Sequence, residues 1–382
     1  MIDLRGTTSL DARSRTFHQG LWRLTRDQIP AASSDAYLIT DNQNLPQGFD
    51  LYVVPADATV PDATGGDVSI LRLPIELSYL SHDDVIVTNE SGTKTGVLWR
   101  SSSPHNAILL TERCDNYCLM CSQPPKTGID DWLIERAFQL LDLIPNSASA
   151  LTYTGGEPTL CGNQFLELLS KTKTNLPECH VQILSNGRSF ADSDFAVGYA
   201  TINNPNHLMA IPIYGAEPSL HDFVVQAPGA FDETIRGILN LSALGQKIEL
   251  RVVIHKQTAP SLVAIASFIS RNLPFVDHVA LMGLEVMGLA RANLADVWID
   301  PYDYKAELTE ATFLLRAAGI DVRIYNHPLC LTEVDVWDFA VRSISDWKNT
   351  YLSQCQECSV RDQCGGLFKS SSYKVSDRIS PL

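Results

Sequence analysis

The sequence predicts an α/β protein whose main domain is a partial (β/α)6 barrel of the TIM type. A β-rich N-terminal domain precedes this barrel, and a cysteine-rich C-terminal extension follows it. From about residue 104, six short apolar runs alternate with amphipathic stretches, which is typical of buried parallel strands alternating with helices. Six such units are fewer than the eight of a complete barrel. We therefore divide the chain into residues 1–103, 104–300 and 301–382.

The first of these domains has short β-branched runs in a sequence rich in Asp, Pro, Thr and Ser. Two of the runs are Leu51–Val54 and Val85–Thr88. Ser91-Gly92 separates the second run from Thr95–Trp99, and this arrangement predicts a β-hairpin.

The second domain supplies the strands and helices of the barrel. Its predicted strands are Ala107–Thr111, Ala150–Thr154, His180–Leu184, Leu208–Tyr214, Ile248–Ile254 and Val279–Met282. Helical periodicity predicts helices over Asp131–Leu143, Gln164–Lys173, Asp232–Leu244 and Ser261–Arg271. A later helix, Tyr304–Ala318, leads to the apolar run Val322–Tyr325 and then to the cysteine-rich extension.

Composition and charge exclude several classes of protein. The chain has 44 acidic and 29 basic residues, a net charge of -15, which makes nucleic acid an unlikely partner because phosphate binding needs dense Lys and Arg. The first residues lack the apolar segment of a signal peptide, and no run approaches the ~18 apolar residues of a membrane helix. We expect a cytoplasmic protein with no membrane partner.

The nine cysteines fall mainly into two groups. Cys114, Cys118 and Cys121 form the first, with the spacing C-x3-C-x2-C directly after the first barrel strand. Three thiolates at this spacing can each bind one iron of a [4Fe–4S] cubane and leave the fourth iron free for a small chelating molecule. The alternatives are a zinc site or buried cysteines without a metal. Cys161 and Cys179 belong to neither group, and we expect them to be buried spectators.

The second predicted strand ends in Gly155-Gly156-Glu157-Pro158. Two glycines allow a backbone to approach a ligand closely, and exposed carbonyl groups together with Glu157 could accept hydrogen bonds from an ammonium group. The same four residues could also form a simple turn.

Two further candidates lie on later strands. Ser185 and Asn186 end the third strand, where they offer polar groups at the same edge of the sheet, although an Asn-Gly turn explains them equally well. Arg251 lies on the fifth strand within an apolar run. An arginine in this position commonly meets a carboxylate, which could belong to a ligand or to Glu157 or Glu249.

The second cysteine group lies in the C-terminal extension. Cys355, Cys358 and Cys364 have the spacing C-x2-C-x5-C, and Cys330 upstream completes a set of four. Four thiolates could ligate a second [4Fe–4S] cluster completely, or a zinc ion in a zinc knuckle.

Taken together, residues from about 104 to 368 resemble radical S-adenosylmethionine (SAM) enzymes with a SPASM/twitch-like auxiliary cluster domain. The resemblance implies that Cys114, Cys118 and Cys121 hold the cluster that binds SAM. It also implies that the Gly-Gly-Glu-Pro segment holds the SAM amine, that the Ser-Asn-Gly segment lies near its ribose and methionine, and that Arg251 is a candidate for its carboxylate. The second group would hold one auxiliary [4Fe–4S] cluster, because the further C-x3-C of a full SPASM tail is absent. His221 lies in a stretch that resembles these enzymes, and we expect a structural role for it; Tyr214 stands where many of them have Asp.

Within this superfamily, Leu109–Glu112, Cys118–Pro125 and Ser343–Asn349 resemble the HxsC-type maturases of His-Xaa-Ser peptide systems. This resemblance implies an oxidoreductase-type modification of a ribosomally made precursor peptide, a second radical SAM partner of the HxsB type, and an electron donor such as flavodoxin or ferredoxin. No catalytic side chain is assigned. Two alternatives remain open: a radical SAM enzyme that acts on a small molecule in cofactor biosynthesis, and a non-catalytic zinc-bearing interaction protein.

Overall fold

The computed structural model describes residues 4–10, 17, 19–39, 45–56, 58, 69–342, 349–368, 370 and 373–382. The chain forms two compact units. Unit 1 comprises Met1–Ile108, Glu135–Leu151 and Lys171–Cys179, and unit 2 comprises Leu109–Ile134, Thr152–Ser170 and His180–Leu382. Both units are therefore discontinuous in sequence.

Unit 1 contains a mixed eight-stranded sheet in the order β1-β8-β7-β3-β4-β5-β6-β2. Its strands are β1 (Arg5–Thr7), β2 (Ser9–Leu10), β3 (Gly20–Thr25), β4 (Asp35–Leu38), β5 (Leu51–Val54), β6 (Ser69–Arg72), β7 (Val85–Thr88) and β8 (Lys94–Trp99). Neighbouring strands from β3 to β6 are parallel, and the other pairs are antiparallel. β1 and β2 are the two edge strands of this sheet, and only Thr8 separates them in the sequence. The two edges of the sheet therefore lie next to each other.

Both faces of this sheet are apolar. One face contributes Leu24 and Leu38 to a buried cluster, and the other contributes Tyr37 and Tyr52 to a second cluster. The alternation of the two faces along β4 and β5 follows from the two-residue period of a strand. The predicted hairpin is confirmed, since β7 and β8 pair in antiparallel fashion.

The second sheet also has eight strands, in the order β16-β15-β14-β13-β12-β11-β10-β9. Its strands are β9 (Ala107–Leu109), β10 (Ala150–Thr154), β11 (His180–Leu184), β12 (His207–Pro212), β13 (Ile248–Ile254), β14 (His278–Gly283), β15 (Asp321–Tyr325) and β16 (Ala340–Val341). The pairs from β11 to β16 are parallel. The remaining strands, β17 (Asn349–Thr350) and β18 (Leu367–Phe368), form a separate antiparallel pair.

Helices connect the parallel strands, as the sequence predicts. They are α1 (Trp132–Leu141), α2 (Asn163–Asn175), α3 (Ser193–Thr201), α4 (Pro218–Val225), α5 (Ala230–Ala243), α6 (Leu262–Asn272), α7 (Gly288–Ala292), α8 (Leu294–Val297) and α9 (Lys305–Ala317). None of the described helices is long and apolar enough to cross a membrane.

The two faces of the parallel sheet differ in polarity. On β13, Leu250 and Val252 are fully buried, whereas Arg251 between them points to the opposite face and is partly exposed. The strand register places Arg251 beside Ala280, and Ala280 beside Arg323. One face is thus apolar, and the other carries charged side chains.

The mixed α/β class and the parallel sheet are confirmed, but the sheet has eight strands where the prediction has six. β15 pairs with β14 along its full length, and α9 packs against α6. The predicted boundary at residue 300 therefore falls inside the region that builds this sheet.

Candidate functional site

The loop with the first three cysteines follows β9 and lies along the end of α4. The backbone N–H of Tyr117 donates to the carbonyl oxygen of Val225 at 2.8 Å, and that of Leu119 donates to Val224 at 2.9 Å. These bonds satisfy carbonyl groups that the last turn of a helix leaves without partners. The helix end therefore fixes the path of the cysteine loop.

Residues at both ends of α7 hold the same loop from another direction. The backbone N–H of Leu289 donates to the carbonyl oxygen of Cys121 at 2.8 Å, and Asn293 Nδ2 donates to that of Leu119 at 2.9 Å. Gly288 has a positive φ of 52°, and a Cβ atom there would lie 2.6 Å from the Cys121 carbonyl oxygen. Only glycine allows this close approach.

The three thiols of this loop are free, half-buried and close together. Burial raises the pKa of Cys114 to about 12 and also raises the pKa of Cys121. For Cys118, burial raises the pKa further, and the negative charges of Cys121 and Cys114 add to this effect. Burial thus disfavours the ionised form of all three thiols, and a bound cation would favour it.

This donor set fits the cluster implied by the sequence. A cubane takes each cysteine on a different iron, so its ligands need to share a loop but not to converge on one point. Among the described residues, no group of three or more His, Cys, Asp or Glu side chains is arranged to hold a single metal ion.

The Gly155-Gly156-Glu157 segment lies against the chain that enters the cysteine loop. The backbone N–H of Gly156 donates to Thr111 at 2.8 Å, and that of Glu157 donates to Arg113 at 2.7 Å. A Cβ atom on Gly156 would lie 2.1 Å from the Arg113 carbonyl oxygen. The close approach that requires glycine is thus made to the protein's own backbone.

Glu157 bonds to its own loop and to the loop that follows β11. Its carboxylate is buried and accepts four hydrogen bonds: from the Thr159 N–H (3.0 Å) and hydroxyl (2.6 Å), from Ser185 Oγ (2.8 Å) and from the Asn186 N–H (2.6 Å). Burial raises the pKa of Glu157, and these hydrogen bonds act to lower it. Three of these bonds end on Oε1 and only the Asn186 N–H reaches Oε2, so the assignment of this carboxylate to a ligand's ammonium group stays a prediction. Pro158 begins the short 3-10 helix that Glu157 caps.

Unlike the Glu157 carboxylate, the backbone carbonyl oxygens of the two preceding glycines have no donor among the described residues. Within the part of the chain that the structure describes, those of Gly155 and Gly156 accept no hydrogen bond. They remain available as acceptors, as the sequence predicts for this segment.

Asn186 connects the third loop to the first. Its Nδ2 donates to Asp115 Oδ1 at 2.6 Å, while its backbone N–H binds Glu157. The loops that follow β9, β10 and β11 are thus joined through Asp115, Asn186 and Glu157. These are the loops that carry the cysteines, the glycine pair and the Ser-Asn-Gly segment.

Arg188 belongs to the site, although the sequence analysis missed it. Its guanidinium donates to the Asp115 carbonyl oxygen at 2.8 Å, to Asn116 Oδ1 at 2.7 Å and to Glu233 Oε2 at 2.6 Å. Its position directly after Ser-Asn-Gly was the only available signal, since Glu233 lies 45 residues away.

Arg251 pairs with Glu249, which is one of the two structural partners that the sequence suggests. Its Nε lies 2.5 Å from Glu249 Oε1, and the second carboxylate oxygen accepts from His278 at 3.0 Å and from Gln182 at 2.7 Å. Burial acts to raise the pKa of Glu249, but His278 and Arg251 outweigh it and hold this pKa at about 2. The terminal nitrogens of Arg251 donate to no residue that the structure describes.

His221 has the structural role expected of it. Its Nδ1 accepts a hydrogen bond from the Tyr214 N–H at 3.2 Å, and burial lowers the pKa of His221 to about 4. The imidazole is therefore neutral at physiological pH.

The second cysteine group lines one cavity near the end of the chain. Its walls include all four predicted ligands, Cys330, Cys355, Cys358 and Cys364. The backbone N–H groups of Leu329 and Gly366 donate to Cys364 Sγ at 3.4 and 3.3 Å. Such bonds stabilise negative charge on sulfur, which is how proteins adjust iron–sulfur clusters.

Cys330 is close to the other members of this group. Burial raises its pKa, and the charges of Cys364 and Cys355 raise it further. The chain thus gathers four thiols from separate segments, and this donor set fits a completely ligated cluster.

Two further predictions concern the cysteines outside both groups and the segment Ser343–Asn349. Cys179 is buried as expected, but Cys161 is half-buried and its thiol donates to the Leu110 carbonyl oxygen at 3.9 Å. Of the segment Ser343–Asn349, residues 343–348 lie outside the described part of the chain.

No protein-family model matches the chain, and neither does any curated protein. Solved structures similar to it include SuiB of Streptococcus suis, with 15% identity and a TM-score of 0.46 over 61% of this chain and 51% of SuiB. Another is anSMEcpe with bound AdoMet and Kp18Cys peptide, with 16% identity and a TM-score of 0.45 over 57% of this chain and 63% of that one. A third is a radical SAM methyltransferase from Sphaerobacter thermophilus, with 14% identity and a TM-score of 0.42 over 64% and 73% of the two chains. The chain spans about half the length of SuiB, and similarity at this level does not assign a function to it.

Proposed function

We propose that this chain is a radical SAM enzyme that modifies a ribosomally made precursor peptide. The observation that carries the proposal is the joining of three loops after neighbouring strands through Asp115, Asn186 and Glu157. The C-x3-C-x2-C loop, the glycine pair and the Ser-Asn-Gly segment thereby lie at one edge of the parallel sheet, which is where α/β folds place their reactive groups. We further propose that the sheet forms a partial barrel of the TIM type.

In this proposal Cys114, Cys118 and Cys121 hold three irons of a [4Fe–4S] cluster, and SAM binds the fourth. When bound, the reduced cluster and SAM would supply a 5′-deoxyadenosyl radical through one-electron cleavage of SAM to methionine. The unpaired carbonyl oxygens of Gly155 and Gly156 suit the ammonium group of SAM.

The other residues of the proposed site hold the loops in place or offer hydrogen-bond donors to a ligand. Glu157 fixes the Ser-Asn-Gly segment, and Ser185 and Asn186 border the space beside the cysteine loop. Arg251 keeps its terminal nitrogens available for a carboxylate while Glu249 holds its Nε. Such fixed donors and acceptors orient a substrate and exclude water from a reactive group.

The second cavity is proposed to hold an auxiliary [4Fe–4S] cluster on Cys330, Cys355, Cys358 and Cys364, in a twitch-like extension. Four thiolates leave no open iron, so this site suits electron transfer. The proposed partners are a second radical SAM protein of the HxsB type and a flavodoxin or ferredoxin as electron donor. The resemblance to HxsC-type maturases supports a His-Xaa-Ser peptide as substrate.

The first test is formation of 5′-deoxyadenosine by the iron-loaded, chemically reduced protein with SAM. We expect the wild type and the Cys179→Ala control to form it and the Cys114/Cys118/Cys121→Ala triple variant not to form it. Equal formation by the triple variant would exclude the mechanism. A colourless protein with bound zinc after anaerobic iron loading would instead support the zinc-bearing interaction protein.

The substrate is tested separately, by mass spectrometry of a precursor peptide with His-Xaa-Ser repeats. The proposal expects a mass change that requires SAM, reductant and the three cysteines. Deoxyadenosine formation without any change in the peptide would favour the small-molecule alternative.

A further inference from the structure

The cavity of the second cysteine group has one wall that comes from the end of the described chain. Ile379, Ser380 and Leu382 line it together with the four cysteines. Ile379 and Ser376 are only 6% and 5% exposed. These two side chains are therefore packed into the protein, whereas Ser380 and Leu382 are exposed.

Hydrogen bonds join this wall to the cysteine-bearing chain. The backbone N–H and the hydroxyl of Ser359 both donate to the Leu382 carbonyl oxygen, at 2.9 and 2.7 Å. Gln354 Nε2 donates to the Ile379 carbonyl oxygen at 2.7 Å. Ser359 follows Cys358 directly, and Gln354 precedes Cys355, so the bonds lie beside the thiols.

A backbone N–H of this wall also reaches one of the thiols. The Ser380 N–H donates to Cys330 and lowers its pKa, against the larger effect of burial. The wall thus contributes a polar contact to the proposed ligand set as well as apolar cover.

Three side chains anchor the segment to residues 298–303. Lys374 Nζ lies 4.4 Å from the ring centroid of Trp298, and Ser376 Oγ donates to Asp300 Oδ2 at 2.8 Å. Arg378 pairs with Asp303 and also stacks on Tyr302, 4.6 Å from its ring centroid. Cation–π contacts and ion pairs of this kind hold a chain segment in place, although each is weak by itself when exposed.

We propose that residues 373–382, here called the strap, are the cover of the second cysteine cavity. Its anchors on residues 298–303 set how easily solvent and reagents reach the thiols. Release of the anchors allows the strap to lift while the rest of unit 2 keeps its structure, because no strand of the described sheets lies within residues 373–382.

The experiment measures the alkylation rate of each cysteine by iodoacetamide in the full-length chain without added iron, by peptide mass spectrometry. The test variant is Ser376→Ala/Arg378→Ala. We expect alkylation of Cys330 and Cys364 to accelerate about tenfold, as for a local opening that loses a hydrogen bond and an ion pair.

The control is Arg316→Ala. Arg316 is about as exposed as Arg378, pairs with Asp321 at 3.7 Å and lies over the Phe339 ring, but it does not touch the strap. The Arg316→Ala variant should therefore leave the alkylation rates of Cys330 and Cys364 unchanged.

Three outcomes would overturn the proposal: unchanged rates in the double variant, an equal acceleration in the control, or an acceleration that extends to Cys179. Ser359→Ala removes a single hydroxyl contact and provides a milder variant, for which we expect a smaller acceleration in the same two cysteines. Because no iron or SAM takes part, the result is independent of the proposed radical chemistry.

Discussion

Three buried histidines have pKa values far below that of a free imidazole. Burial lowers the pKa of His221, His255 and His327 to about 4 in each case. His327 is held between the Tyr325 carbonyl oxygen at 2.8 Å and the Tyr304 hydroxyl at 2.9 Å. Each ring is therefore neutral in the folded protein.

This predicts a loss of stability in mild acid. Between pH 6.5 and 4 the unfolded chain binds protons on these histidines and the folded chain does not, so the free energy of unfolding falls as the pH is lowered through this window. The contribution of the three histidines to the free energy of unfolding is fully present above pH 6.5. A shift from 6.5 to about 4 corresponds to roughly 3 kcal/mol for each histidine at most. Urea unfolding at several pH values measures this dependence.

Replacement of a single histidine tests the assignment. His255→Gln should reduce the pH dependence between 6.5 and 4 by about one third, because one of three sites is removed. His82→Gln, at a side chain that is 42% exposed, should leave it unchanged. If His82→Gln has the larger effect, burial of the three histidines is not the cause.

At the same scale, the sequence predicted residue types better than their contacts. Spacing selected six of the seven cysteines in the two groups, and Cys330 was added to them as an upstream fourth member of the second group. The spacing did not predict the connection of Glu157 to Asp115 through Asn186, because these residues come from three loops, two of them 71 residues apart. Arg188 was missed for the same reason.

At the scale of single elements, the glycine pair determines how two loops meet. Gly156→Ala should displace the cysteine loop, because the new methyl group would lie 2.1 Å from the Arg113 carbonyl oxygen and rigid backbone cannot yield at low cost. We expect the variant to fold with a lowered thermal midpoint and to lose the iron of the first site. Iron analysis and thermal unfolding give the two readouts.

Gly128→Ala is the matched control, since a Cβ atom at Gly128 meets no atom within 4 Å. It should keep both iron content and thermal midpoint. Normal iron loading by Gly156→Ala would show that the two loops adjust independently.

Elements with strong periodicity were predictable, and short ones were not. The hairpin of β7 and β8 and the strands β9 to β14 follow from β-branched runs and their flanking turns. β16 has only two residues, so no periodicity reveals it. The partial barrel stays a prediction.

At the scale of the whole molecule, the parallel sheet does not end at residue 300. A chain that stops there would lose β15 and α9, leaving the edge of β14 unpaired and the apolar face of α6, including Ile265 and Ile269, without its partner. Unpaired strand edges and exposed apolar surface favour aggregation. We expect residues 1–300 to aggregate and residues 1–342 to remain monomeric in size-exclusion chromatography. A monomeric, cooperatively unfolding 1–300 fragment would contradict this.

The division into two units could not be predicted from the sequence, because it depends on contacts between distant segments. Unit 1 takes in Glu135–Leu151 and Lys171–Cys179, which lie within the stretch of alternating strands and helices. Linear changes in composition mark boundaries along the chain, whereas these two segments are assigned by contacts in space.

The short helix α7 contacts both the first cysteine loop and the strap. On one side the Leu289 N–H binds Cys121, and on the other the Arg291 guanidinium stacks on Tyr373, 4.1 Å from its ring centroid. Five residues of helix therefore contact the first cysteine loop on one side and the strap on the other. Lifting the strap at Tyr373 would take a contact away from the helix that holds the first loop.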